Sequence, residues 1–317
     1  MLNRPVEIED KSLVKRAIIE LIALAGFTSL LFNHRGFWRI SRYLGRLVPR
    51  QYAVLTISRD SRFRINLSDP YWNRLISKSY NYEGEVSSIL YMLRNVDYLF
   101  LDCGANFGYW SVLASSEALG AKPVVAVEPW TANFRELEHN QSLNGYRFSA
   151  LQYAISSHSG KEIPLYYAGD HAAVSIMPKS RQTKGSPSEI EHVRTICIDD
   201  VIRQYAANPQ LPITIKLDVE GSEIEALKGA RRTLQTQCLL IYEDHGKDAT
   251  CKVSRFVKDA IGYNIYGIHG CRIEKLKTLE EVRKIKVQKS KGYNFLATSE
   301  GSLFDGKLKE RMPRQNR

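Results

Sequence analysis

Beyond about residue 88 the apolar positions fall into short strand-like runs, each followed by a stretch of helical periodicity. The first run, 96–102, ends in Asp102 and leads into a glycine turn over 104–108 and a helix over 109–119. The second, 123–128, ends in Glu128 and precedes a helix over 131–144, with Asn144-Gly145 as its stop signal. A third strand is predicted over 149–156. The polar stretch 157–193, broken by Gly160, Pro164, Gly169, Pro178, Gly185 and Pro187, has the pattern of a hairpin with a mobile loop. Alternation then resumes, with helical segments at 199–205, 222–234 and 251–261 and strands at 213–218, 238–242 and 293–298. Such alternation predicts right-handed crossovers and an α/β fold, a mostly parallel sheet with helices on both faces.

Residues 1–80 follow a different rule. The run 17–32 is apolar but contains Glu20, falls short of the roughly 20 apolar residues a bilayer demands, and follows a stretch of mixed charge. A signal peptide would have a shorter leader and a small-residue cleavage site, which this segment lacks. Residues 37–47 then mix Phe37, Trp38 and Tyr43 with Arg39, Arg42 and Arg46 at helical spacing. The pattern predicts a helical N-terminal extension, 1–80, packed on the main domain (81–300) or on a second subunit. The alternative is a peripheral membrane helix with arginines on one face and aromatics at the interface. Residues 301–317 read as a basic tail.

Composition changes the picture in two respects. With 44% hydrophobic and 25% charged residues the chain is a folded globular protein, and a net charge of +11, from 45 Lys and Arg against 34 Asp and Glu, favours acidic partners. Those partners are nucleic acid, an anionic membrane surface, or a phosphorylated or nucleotide-linked substrate. The five cysteines (Cys103, Cys197, Cys238, Cys251, Cys271) form no C-x-x-C pair and are odd in number. Neither a disulfide framework nor a zinc site is expected, and a reducing, cytoplasmic setting is the default.

In an open parallel sheet, ligands bind beyond the carboxyl ends of the strands. At the first of these ends stands Asp102-Cys103-Gly104-Ala105-Asn106-Phe107-Gly108. A dinucleotide fingerprint needs G-x-G-x-x-G, and Asn106 occupies the place of its second glycine, so an NAD-dependent oxidoreductase is disfavoured. A carboxylate ahead of a glycine turn suits instead the α-amino group of an amino-acid-like cofactor. Glu128, at the next strand end, can accept hydrogen bonds from both ribose hydroxyls of an adenosine. Gly104, Ala105, Asn106 and Gly108 would form the cofactor loop, and Ser156 would meet the adenine edge. At the fourth strand end Lys216 and Asp218 share a strand face, which predicts an ion pair and sets Asp218 beside the reacting group. The fifth strand runs into Glu243-Asp244-His245, where Glu243 and His245 are candidate bases for deprotonating a hydroxyl. A divalent ion on Asp218 is the alternative to a base.

Taken in order, several segments resemble the FkbM family of methyltransferases: Tyr82-Glu83, Leu101-Asp102-Cys103-Gly104-Ala105-Asn106-Phe107-Gly108-Tyr109, Val127-Glu128-Pro129, Thr195-Ile196-Cys197-Ile198-Asp199-Asp200-Val201, Ile215-Lys216-Leu217-Asp218-Val219-Glu220-Gly221-Ser222-Glu223 and Asn294-Phe295-Leu296-Ala297. The likeness covers roughly 80–298. It implies a Rossmann-like methyltransferase fold with a mostly parallel seven-stranded sheet, S-adenosylmethionine as cofactor, and O-methylation of a sugar, glycolipid or related natural product. Cys103 departs from the aliphatic residue frequent in the family. The loop 169–175 falls in the family's variable zone and offers His171 as a second candidate base. A non-catalytic binding protein and a nucleic-acid methyltransferase are the competing readings; no aromatic-and-basic strip for base stacking accompanies the site.

Overall fold

The computed structural model describes residues 13–29, 37–47, 52–77, 80–167, 174–175, 188–208, 210–244, 250–269, 272–286 and 294–312. Two helices, α1 (Leu13–Ser29) and α2 (Phe37–Arg46), precede a hairpin of β1 (Tyr52–Ser58) and β2 (Ser61–Asn66). The alternating region follows: α3 (Gly84–Met92), β3 (Leu99–Cys103), α4 (Tyr109–Ala114), β4 (Val124–Val127), α5 (Thr131–Leu143) and β5 (Ser149–Leu151). A second sheet is built from β6 (Ala154–Ile155), β7 (Glu162–Tyr167), β8 (Val174–Ser175) and β9 (Ser188–Ile196). Next come α6 (Ile198–Tyr205), β10 (Ile213–Leu217), α7 (Glu223–Lys228) and β11 (Cys238–Glu243). The chain closes with α8 (Lys252–Arg255), which runs into a π-helical turn over Phe256–Ile261, then β12 (Asn264–His269), β13 (Arg272–Leu276), α9 (Leu279–Lys286), β14 (Asn294–Thr298) and α10 (Leu303–Lys309).

The main sheet has the order β13-β12-β14-β11-β10-β3-β4-β5. The pairs from β11 through β5 are parallel, and β14, β12 and β13 join through antiparallel pairs. Strands such as Val124–Val127 and Ile213–Leu217 are buried along their whole length, as a sheet covered on both faces requires. In β3, Phe100 faces one apolar layer while Leu99, Leu101 and Cys103 face the other. After β5 the chain returns to lay β10 on the opposite side of β3. The topological switch point therefore lies between β3 and β10, where such sheets open a ligand crevice.

Four features differ from the pattern the sequence suggested. The sheet has eight strands rather than seven, because the β12–β13 hairpin adds an edge. The run 149–156 breaks in two: Gln152 donates to Thr131 Oγ1 (2.6 Å), the chain turns, and β6 joins the second sheet. The extension is not purely helical, since β1 and β2 form a hairpin that buries Phe63 and Ile65 in the main core. Nor is the basic tail wholly a tail: α10 buries Phe304 and Leu308, and Ser302 Oγ caps it by accepting from the Asp305 N–H. Residues 313–317 lie outside the described residues.

The hairpin is held by one asparagine on α5 and one at its C-terminal cap. Asn140 Oδ1 accepts from the Arg64 N–H (2.6 Å) and Asn144 Oδ1 from the Arg62 N–H (2.9 Å). The Asn144 amide donates to Arg62 O (2.7 Å), and that of Asn140 to Phe107 O (2.9 Å), in the loop that follows β3. Among the described residues no helix is long and apolar enough to cross a membrane.

Candidate active site

A cavity of about 290 Å³ opens at the carboxyl ends of β3, β4, β10 and β11, walled on one side by Tyr71, Trp72 and Tyr82. Its floor is the loop after β3. The Gly104 and Ala105 N–H groups both donate to Val127 O (2.9 and 3.0 Å), folding the loop over the end of β4. Gly104 has φ +81°, and a Cβ there would run into the carbonyl oxygen of Asp218. Glycine is required because two strand ends meet.

Asn106, also in the left-handed region, donates its N–H to Glu128 Oε2 (2.8 Å), while Glu128 Oε1 accepts from the Trp130 N–H (3.1 Å) and the Asn133 amide (3.3 Å). Burial pushes the Glu128 carboxyl up to about 7 against these hydrogen bonds. Asp102 is buried as well, and burial raises its pKa, an effect Lys216 partly offsets. Its Oδ2 accepts from Ser111 Oγ (2.6 Å), whereas its Oδ1 is buried without a hydrogen-bond partner.

Two members of the expected cofactor set stand elsewhere. Gly108, at φ +84°, starts α4 and packs on Leu137, outside the cavity lining. Ser156 lies past the β6 break with its N–H on Ile196 O (3.0 Å), and Tyr153, Ala154 and Ile155 line the cavity instead.

The other half of the cavity is acidic around one cation. Lys216, 4% exposed, donates to Asp218 Oδ2 at 3.0 Å. Burial works against its charge, but Asp218, Glu83 and Asp102 more than compensate and hold the ammonium well above its ordinary pKa. Glu243 lines the cavity beyond Asp218; burial and its neighbours Asp218 and Glu220 push its carboxyl up to about 8.

Glu83 belongs to the same cluster and carried no signal of its own in the strand-and-helix pattern. It sits in the left-handed region (φ 40°) at the start of α3, accepts from Trp110 Nε1 at 2.5 Å, and is pushed up to about 7 by burial despite Lys216. A non-glycine residue held in that conformation is strained, and such strain gathers at functional sites.

Asp244 turns away from this edge. It forms a buried pair with Lys286 (2.6 Å) and accepts from the Ser254 N–H (3.0 Å), a structural role. His245 and His171 lie outside the described residues. Among the described residues no three His, Cys, Asp or Glu side chains are arranged to hold a metal ion.

Residues 102–265 match the model of the methyltransferase FkbM domain. The chain is 26% identical over 204 residues to the hexuronic acid methyltransferase AglP of Haloferax volcanii, covering 63% of this chain and 77% of that one. Among solved structures it is similar to the methyltransferase FkbM of Methylobacillus flagellatus KT (14% identity, TM-score 0.38, 89% of this chain), of whose length it spans 58%. It is also similar to P. horikoshii TYW2 in complex with MeSAdo (12% identity, TM-score 0.37), covering 82% of this chain and 80% of that one.

Proposed function

We propose that this chain, which belongs to the FkbM methyltransferase family and is a methyltransferase, takes its methyl group from S-adenosylmethionine and places it on a hydroxyl of a sugar-containing acceptor. The observation that carries the cofactor is the orphaned Asp102 Oδ1, a buried carboxylate oxygen in the cavity lining with its sister oxygen already fixed by Ser111. An ammonium donor would satisfy it, and an unmet buried acceptor otherwise costs about 1–3 kcal/mol. Glu128, on the neighbouring strand end, accepts three hydrogen bonds and keeps a lone pair on Oε2 for one ribose hydroxyl. The residues therefore fit an amino-acid head on Asp102 and a ribose on Glu128, with the backbone of Gly104, Ala105 and Asn106 between them.

When bound, S-adenosylmethionine supplies an electrophilic methyl on a sulfonium, and transfer leaves the bonding electron pair on sulfur. The cluster on β10 and β11 then forms the acceptor side. Lys216 holds Asp218 in place to orient the hydroxyl, and Glu243 accepts its proton as the new carbon–oxygen bond forms. A carboxylate with its pKa near the working pH is matched to that duty. The sugar acceptor rests on the likeness to a hexuronic acid methyltransferase. Sugar hydroxyls also suit a pocket rimmed by Asp218, Glu220 and Glu243.

Isothermal titration is the first test: S-adenosylmethionine should bind with a Kd on the order of micromolar, and Asp102→Asn should weaken it tenfold or more. No binding by the folded protein up to millimolar ligand, or tighter binding of NAD, would falsify the reading. For the acceptor, incubation with hexuronic-acid-containing glycans should add one methylene of mass.

A further inference from the structure

Among the described residues, the two N-terminal helices carry exposed apolar side chains. Helix α1 packs on the protein through Ile18, Ile19 and Ile22, and its outer side carries exposed apolar side chains next to Arg16 and Glu20. Leu13, Leu21 and Leu24, with Ala17 between, recur at helical spacing along the opposite face, where Leu13 is 81% and Leu24 58% exposed. Helix α2 divides its surface in three. Phe37, Ser41 and Gly45 face the protein, and Gly45 lies so close to Leu67 O that no Cβ would fit. Arg39, Arg42 and Arg46 form one exposed stripe, and Ile40, Tyr43 and Leu47 form the adjoining one, with Tyr43 67% exposed.

We infer that this helical pair seats the protein on an anionic lipid surface, with α1 and the apolar stripe of α2 entering the headgroup boundary and the arginines meeting lipid phosphates. An apolar sector beside a basic one, on helices lying against a folded body, is the chemistry of an interfacial anchor. The rival occupant, a second copy of the chain, fits less well. A two-fold interface through this face brings the arginine stripe against its own copy, and like charges so placed are repulsive. Leu75 and Ile76, in the core beside α1, belong to the same turn as Trp72, which walls the cavity. The seat on the lipid is thus built on one wall of the active site, whatever the acceptor.

Sedimentation of the full chain with vesicles tests this without reference to methyl transfer. The protein should bind phosphatidylcholine vesicles containing phosphatidylglycerol at low ionic strength, and bind phosphatidylcholine alone far more weakly. The triple variant Arg39→Gln, Arg42→Gln, Arg46→Gln should lose on the order of 100-fold in partitioning, since each basic residue at an anionic surface is worth roughly fivefold. Leu21→Ser with Leu24→Ser should also weaken binding by tenfold or more while the chain stays folded, because both side chains are about half exposed. Absence of vesicle binding by the unmodified chain overturns the inference. So does binding that neither variant alters, or a dimer by light scattering that the leucine variant dissociates without any vesicle binding in either form.

Discussion

Replacing Lys216 by methionine and, separately, Asp218 by asparagine should have unequal consequences, and the inequality follows from the count of partners each one has. Lys216 is buried, and Asp218, Glu83 and Asp102 all favour its charge. Lys216→Met keeps an unbranched, flexible side chain but removes the cation that these carboxylates, and Glu243 beside them, share. Removing one partner of a buried pair costs about 3–5 kcal/mol.

Asp218 is 28% exposed, and its removal leaves the lysine with Glu83 and Asp102, so Asp218→Asn should cost about 1.5–3 kcal/mol, the scale of one charge-assisted hydrogen bond. The lysine variant carries a further signature in pH. Glu83 and Glu243 ionise near 7 and 8 in the folded chain but near 4.5 when unfolded. The native state therefore holds two protons that the unfolded chain has released, and the contribution of these two groups to stability falls as pH rises from about 4.5 to 8. Lys216 lowers both values, and without it the fall steepens and reaches higher pH. Urea unfolding at pH 6 and pH 9 should show the Lys216→Met penalty larger at the higher pH by more than about 1 kcal/mol. Equal penalties for the two variants, or a lysine penalty that does not change with pH, would refute the picture of one cation shared among several acids.

Two further outcomes are expected. Gly104→Ala should reduce stability as well as ligand affinity, because its Cβ meets the Asp218 carbonyl and its φ is +81°; unfolding that matches the unmodified chain would show that β3 and β10 tolerate separation there. Single-turnover methyl transfer by Glu243→Gln should fall on the order of 10²-fold or more with cofactor affinity changed less than tenfold, whereas an undiminished rate would pass the proton-accepting role to Glu83.

How far the sequence revealed the site depended on where each residue sat. Asp102, Glu128, Asp218 and Glu243, which line the cavity, were legible as candidates because each stands at the end of an apolar run. Glu83 was marked only by the Tyr82-Glu83 segment of the family resemblance, since it reaches the cavity from the cap of α3, outside the alternating region, where it accepts from Trp110. Ser156 was misplaced for a local reason: Gln152 binds Thr131 and bends the chain, so strand counting restarts beyond it. Gly108 follows a backbone need, the left-handed start of α4, that resembles a ligand loop in sequence. The β1–β2 hairpin was present as period-two alternation around a two-residue turn, with Phe63 and Ile65 inward and Arg62 and Arg64 alternating with them.

That hairpin meets α5 through a coincidence of lengths. Four residues of helix advance about 6 Å and two residues of strand about 6.8 Å, so Asn140 and Asn144 fall opposite the outward amides of Arg64 and Arg62. The helix thereby serves as a ruler laid along the strand. A slip of one residue would unseat both asparagines together and turn Phe63 and Ile65 toward water, so register is locked at two independent points. The same two side chains occupy the edge that a bare strand would offer to another chain, which makes α5 a guard against edge-to-edge association as well as a brace for the loop beneath the cavity.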